Sequence, residues 1–266
     1  VSSNGLAVEF GPDLFAPMAD STALLGRPAP LRARLDADGY LLLRGVLDPA
    51  LVRSVRSDYV ALFGGRPASD FPAYGTQGHP AHAFVRSESF GRLAASPALR
   101  AVAGDILGGP VEPLTRAILR HFEPGSGRTS RAHSDWTYMD QGAAQVLTMW
   151  IPLGDCPVEN GGLVYLEDSR GLGADELAGL RAVSDRPEDP RPLSHDLSWV
   201  ARQTGRRWRY TDFEAGDIAV HTPRLVHAAL DTVTDQARVS ADLRFMTVGA
   251  RQDPRWAQPW AADDGN

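Results

Sequence analysis

"GDIAVHTPRLVHAALDTVTDQARVSADLRF", residues 216–245, holds three strand-length runs in one short stretch. The runs "IAVH", "LVHAAL" and "ARVSADLRF" are separated by Pro223 and by the polar turn "DTVTDQ", and Gly216–Asp217 precedes the first. Runs this short, closed by turn residues at both ends, mark β-strands rather than helices. In the last run Arg238, Ser240 and Asp242 alternate with Val239, Ala241 and Leu243. Side chains two apart share a face of a strand, so one face is polar and the other apolar. The turn is expected to fold the Arg238 strand back as the antiparallel neighbour of the His227 strand, with Arg238, Ser240 and His227 on one face.

The same pattern extends upstream. "LTRAILRHF", "AQVLTMWIPL" and "GGLVYLE" are strand-length runs that begin after about residue 111. The first ~110 residues read as mostly helical, broken by the strand "YLLLRGV". Asp48 is a good N-cap and Pro49 a good first helical residue, with Leu51, Val52, Val55, Tyr59, Leu62 and Phe63 following at helical spacing. Helices followed by short strands predict a mainly β protein with flanking helices, in which an N-terminal helical layer packs on a jelly-roll, cupin-like core. The chain reads as one domain over residues 1–266: helical flank to about 110, core over about 111–250, and a lid-like, proline-rich insertion near 183–210.

Composition excludes several functions. The net charge is −6, and all 27 basic residues are arginine; a nucleic-acid binder ordinarily shows a basic surplus. Cys156 is the lone cysteine, which leaves no disulfide framework or cysteine-rich zinc site. No run approaches the roughly 18 apolar residues of a membrane span, and the N-terminal stretch lacks a signal-peptide pattern. A cytoplasmic protein acting on a small molecule is the expectation. The sequence assigns no oligomeric state.

Chemistry enters at "RAHSDWTYMD", residues 131–140, where His133 and Asp135 stand two apart at the start of a strand. The rival pair His121 and Glu123 runs directly into Pro124–Gly125, which favours His133 and Asp135. Of the distal histidines, His221 and His227, the second sits in an apolar run with Arg238 11 residues further on. An arginine turned into a barrel needs an anion, because burying its charge alone is prohibitive. Two imidazoles and one carboxylate make the facial triad that suits Fe(II) and leaves positions open for a 2-oxo acid and dioxygen. The far carboxylate of such an acid would reach Arg238. Asp135 lies at a strand mouth with few core contacts expected, so its replacement by alanine is expected to spare the fold.

These residues resemble the phytanoyl-CoA dioxygenase family of Fe(II)/2-oxoglutarate oxygenases. The resemblance runs through "DADGYLLLRGVLDPALV", "HFEPGSGRTSRAHSDW", "LTMWIPLGDCPVENGGLVYLEDSRG" and "HAALDTVTDQARVSADLRF". It implies a double-stranded β-helix core, iron held by His133, Asp135 and His227, 2-oxoglutarate held by Arg238, and Trp150 lying against that cosubstrate. Ala229 stands where the family often carries a serine touching 2-oxoglutarate, and Ser240 is the candidate to compensate. The implied activity is oxidation of a small natural-product intermediate with release of succinate and CO2. Hydroxylation is the default; epimerisation, cyclisation and desaturation start from the same substrate radical. Trp136, Tyr138 and Trp199 are candidates to line the substrate. The competing reading is a non-catalytic or differently metallated cupin-like binding protein, which would have no need of Arg238.

Overall fold

Two sheets face one another in the computed structural model, which describes residues 1–139 and 146–260. The strands in chain order are β1 (Ser2–Ser3), β2 (Leu6–Ala7), β3 (Phe15–Pro17), β4 (Tyr40–Leu43), β5 (Val111–Pro113) and β6 (Ile118–Phe122), then β7 (Val146–Pro152), β8 (Leu163–Leu166), β9 (Trp208–Tyr210), β10 (Ile218–His221), β11 (His227–Ala229) and β12 (Arg238–Thr247). The helices are α1 (Pro28–Asp38), α2 (Pro49–Ala61), α3 (Pro80–Phe84), α4 (Glu88–Ala94), α5 (Pro97–Leu107), α6 (Trp136–Met139), α7 (Ala174–Gly179) and α8 (Leu197–Thr204). The major sheet runs β4-β10-β7-β12-β5, with β6 also paired to β12; the minor sheet runs β11-β8-β9-β3. This is the expected jelly-roll core with helical flank. Residues 144–145 of the run "AQVLTMWIPL", and 261–266 of the proposed domain, lie outside the described residues.

The two-residue period of β12 decides what each face meets. Val239, Ala241 and Leu243 join one core cluster with Leu147, Met149 and Ile151 of β7 and with Leu31, Val52, Tyr59 and Val102 from the helical layer. Arg238, Ser240, Asp242 and Arg244 are buried on the other face, towards the minor sheet. A slip of one residue would drive those charges into the apolar layer, so register here is strongly fixed. The helices stop where the sequence says they should. The Asp48 side chain accepts from the Ala50 N–H, and Gly39 closes α1 at φ +79°, a left-handed conformation in which its N–H bonds Leu35 O.

Two expectations are corrected. The strands β11 and β12 are not neighbours: β11 pairs with β8, and β12 pairs with β7, β6 and β5. The turn between them is tied to another loop instead, for Val233 N–H bonds Glu159 O and the Thr232 hydroxyl donates to Asn160 Oδ1. The chain therefore crosses from one sheet to the other, passing so close to Gly161 that a Cβ there would lie 2.7 Å from Leu230 O. Arg238 and His227 consequently face each other across the barrel. The second correction concerns the insertion. Its latter half forms α8 and β9, with Leu197, Val200 and Trp208 fully buried and β9 paired to both β8 and β3. Residues 183–196 carry no helix or strand, but the rest of the span is built into the core, so the span 183–210 is not a lid as a whole.

Candidate metal and cosubstrate site

The histidines meet because of strand pairing. His133 N–H bonds His227 O at 3.0 Å and His227 N–H bonds His133 O at 2.9 Å, making the two residues direct cross-strand partners. Opposed residues project on the same face, and their rings stand 4.2 Å apart. Asp135, two residues along, adds its carboxylate. One ligand atom from each of His133, Asp135 and His227 lies within 4.8 Å of the others, and all three residues are buried.

The protonation of this set favours a cation. His133 Nδ1 lies 2.7 Å from Arg131 O and His227 Nδ1 3.0 Å from Leu225 O. A carbonyl only accepts, so each Nδ1 carries the proton and each Nε2 presents its lone pair. Those Nε2 atoms lie 3.8 and 3.7 Å from the same atom, Asp135 Oδ1. The other oxygen, Oδ2, is held from behind: the Thr148 hydroxyl donates to it at 2.8 Å, and His221 Nε2 and Arg244 Nη2 lie at 3.5 and 3.4 Å. Burial opposes the charge on Asp135, but the Arg244 guanidinium and the contact with His221 outweigh it and hold the carboxyl well below its usual range. Burial drives His133 and His227 the other way, towards the neutral form. Neutral imidazoles and an ionised carboxylate are what metal ligation requires.

Across the same small cavity stands Arg238, 2% exposed. Its guanidinium lies 4.3 Å over the Phe122 ring and 5.8 Å from that of Trp150, and its Nη1 donates to Ser240 Oγ at 2.7 Å. Its Nε is buried without a partner, and burial pushes its pKa down to about 10. A desolvated cation with an unused donor is a site waiting for an anion. Trp150 lines the cavity; Ser240 does not, and its Oγ instead accepts from Arg238.

The three substrate candidates fare differently. Tyr138 is half-buried with its ring 5.5 Å from that of His133. Trp136 is 36% exposed and stacked under the Arg224 guanidinium, because α6 turns it outwards. Trp199 packs against the apolar cluster beneath α8, away from the cavity. The rival pair His121 and Glu123 sits on the helical side of β6, where His121 Nδ1 meets the Tyr59 hydroxyl at 2.6 Å. Sequence reasoning set His221 aside as a ligand and gave no site role to Thr148, Arg244 or the pair Arg120–Asp242, all of which line the cavity. Extending the β12 alternation by one step finds Arg244, and the same period on β7 places Thr148 beside Trp150. Nothing local in the sequence marks the role of His221.

With this geometry in place, comparison with known proteins is specific. The model of the phytanoyl-CoA dioxygenase (PhyH) family matches residues 35–240. The 1-deoxypentalenic acid 11-beta-hydroxylase of Streptomyces arenae is 26% identical over 280 residues, covering 93% of this chain and 91% of that enzyme. Two solved structures share the fold. One is the epimerase SnoN in complex with Fe3+, alpha ketoglutarate and nogalamycin RO, at 24% identity and TM-score 0.63, covering 86% of this chain and 87% of that one. The other is the alpha ketoglutarate-dependent carbocyclase SnoK from nogalamycin biosynthesis, at 22% identity and TM-score 0.63, covering 89% and 90%.

Proposed function

The chain belongs to the phytanoyl-CoA dioxygenase family of Fe(II)/2-oxoglutarate-dependent oxygenases, and from that premise we propose the part each residue plays. His133 and His227 Nε2 and Asp135 Oδ1 hold the iron. Thr148, His221 and Arg244 fix Asp135 Oδ2, leaving Oδ1 to face the imidazoles. Arg238, steadied by Ser240 and stacked on Phe122, takes the far carboxylate of 2-oxoglutarate, and Trp150 walls that cosubstrate. When bound, iron with 2-oxoglutarate and dioxygen supplies a two-electron oxidation and releases succinate and CO2. The protein contributes a dry, preorganised setting, in which the charged groups act without competing water.

The substrate we propose is a small natural-product intermediate, by analogy with the hydroxylase, epimerase and carbocyclase it resembles. Hydroxylation is the default outcome. Among the described residues no helix is long and apolar enough to cross a membrane, and a buried, unpaired Cys156 fits a reducing cytoplasm. The observation that carries the reading is Arg238: a cupin-like binder without a dicarboxylate has no use for a buried, uncompensated guanidinium. Anaerobic titration with Fe(II) and 2-oxoglutarate tests it. A weak visible charge-transfer band is expected, reduced in affinity when Arg238 is replaced; no band at saturation would remove the reading.

A further inference from the structure

A second cavity, of about 900 Å³, shares a wall with the metal cavity. Thr129, Arg131 and Phe122 line the large one, while Ser130 and His133 line the small one and Arg238, which also lines the small one, stacks on Phe122. The segment that presents His133 to the metal site therefore also forms one side of the large cavity. Segment 67–76, a single 3-10 turn at Ala68–Asp70 followed by irregular chain, also lines it, with Phe71, Pro72 and Tyr74. The volume lies in the range of pockets that enclose compounds of several fused rings.

The polar groups of this cavity are unevenly matched. Three arginines line it (Arg128, Arg131 and Arg186) against one acid, Glu123. Glu123 Oε1 lies 2.5 Å from His121 Nε2. Arg131 is committed to Asp185 through two contacts, at 2.7 and 2.5 Å. Arg186 is half-buried and makes no salt bridge among the described residues, although Asp185 and Asp189 lie close enough to favour its charge. The histidines of the wall, His79 and His121, add no positive charge of their own at neutral pH, because burial pushes both down to about 4. A partly desolvated cation on the rim of an apolar, aromatic chamber is suited to an anion attached to a hydrophobic body.

We propose that this cavity receives the prime substrate and that the substrate is a largely apolar carboxylic acid, its carboxylate meeting Arg186 and Arg128 while its body lies on Phe71, Tyr74 and Phe122. What then happens to it rests on the oxygenase reading above; its binding does not. Placing the acid at the rim lays the apolar body against the Phe122 and Thr129 wall, on the far side of which stands His133. Recognition of the anion therefore sets which carbon is presented for oxidation.

The test uses the intact protein loaded anaerobically with Fe(II) and 2-oxoglutarate. Two rigid acids, adamantane-1-carboxylate and abietate, are titrated calorimetrically beside their primary amides, which keep the shape and lose the charge. At least one acid is expected to bind about tenfold or more tighter than its amide. Arg186→Gln should bring acid and amide within about threefold of each other while leaving the amide affinity unchanged. The Arg128→Gln and Arg186→Gln double variant provides the stronger form of the same loss. Equal binding of acid and amide to the parent protein overturns the proposal, as does a preference that survives the double variant. Failure of every probe to bind overturns it too. An intact acid preference without a charge-transfer band would instead leave this site standing and remove the oxygenase assignment.

Discussion

Replacing Arg238 with glutamine should move two measured quantities in opposite directions. In the protein without cosubstrate, the guanidinium is 2% exposed and pushed from an ordinary 12.5 to about 10 by burial. A shift of that size corresponds to about 3 kcal/mol disfavouring the charged form. Glutamine relieves that cost but forfeits the bond to Ser240 Oγ and the stacking on Phe122, a loss of about 2 kcal/mol. The unliganded fold should therefore gain about 1 kcal/mol, or roughly 2–4 °C in Tm for a chain of this size. Cosubstrate binding changes the opposite way. Removing one partner of a desolvated ion pair costs about 3 kcal/mol, on the order of a hundredfold in the Kd for 2-oxoglutarate. The requirement for the prime substrate should stay within about threefold. Anaerobic titration of the charge-transfer band gives the first quantity and differential scanning fluorimetry of the unliganded protein the second. An unchanged cosubstrate Kd would refute the assignment of Arg238, and a fall of several degrees in Tm would refute the view that its charge is uncompensated.

Asp135→Ala and Asp135→Asn should both abolish turnover, but alanine also strands Arg244 and His221 around a missing carboxylate, at a cost of about 3–5 kcal/mol. This replaces the expectation that the fold is spared, because Asp135 is 2% exposed and lies inside a charge network rather than at an open strand mouth; melting curves of the two variants beside iron stoichiometry separate the effects. Trp256 donates to Tyr138 O at 2.9 Å and stacks 4.2 Å from the Arg244 guanidinium, so Trp256→Ala should weaken iron about tenfold through a loosened Arg244–Asp135 contact. Trp256→Phe, which keeps the stack, should recover most of that loss, and equal affinities in both variants would count against the coupling. His79 and His121 are held neutral, with pKa values near 4 against 6.5 for an unfolded histidine. Their contribution is complete above 6.5 and is lost as pH falls towards 4, so urea unfolding at pH 5.5 should show stability about 1–1.5 kcal/mol lower per histidine than at pH 7.5; a flat profile over that interval would show that these rings are not desolvated.

Strand and helix identity was legible wherever period and punctuation agreed. Asp48, Gly39 and the alternation along β12 each encode a local preference that tertiary packing then reinforces. Pairing between strands was less legible. A polar six-residue link between "LVHAAL" and "ARVSADLRF" reads as a hairpin, yet Thr232 and Val233 are bound to the 159–160 loop and carry the chain to the opposite sheet. The face assignment for Arg238 survived this error because side-chain period does not depend on which strand is the neighbour. The insertion misled for a related reason. Its prolines lie before residue 193, and the apolar spacing of Leu197, Val200 and Ala201 was hidden by the arginines that follow. Two of those arginines, Arg207 and Arg209, pair with Glu167 at the surface of the minor sheet. Of the aromatic residues close in sequence to His133, Tyr138 lies beside its ring, while α6 turns Trp136 outwards within one residue of Asp135.

The charges facing the candidate metal cavity single out one arginine. Three guanidiniums line it (Arg120, Arg238 and Arg244) against two carboxylates, Asp135 and Asp242. Arg120 is matched to Asp242 at 2.8 Å and Arg244 to Asp135 at 3.4 Å. Arg238 is left over, with no carboxylate partner among the described residues. Buried charge is costly unless paired, so an unmatched cation can persist only where the site gains a partner in its working state. The three ligand atoms define one end of the cavity and Arg238 the other, which asks for a ligand that presents donor oxygens at one end and an anion at the other. A monoacid of the same head group would satisfy the first end and leave Arg238 as costly as before. On the proposed assignment, selection of a 2-oxo diacid follows from which of three arginines the fold leaves unpaired, and β12 supplies the unmatched Arg238 and the matched Arg244 through a single alternation.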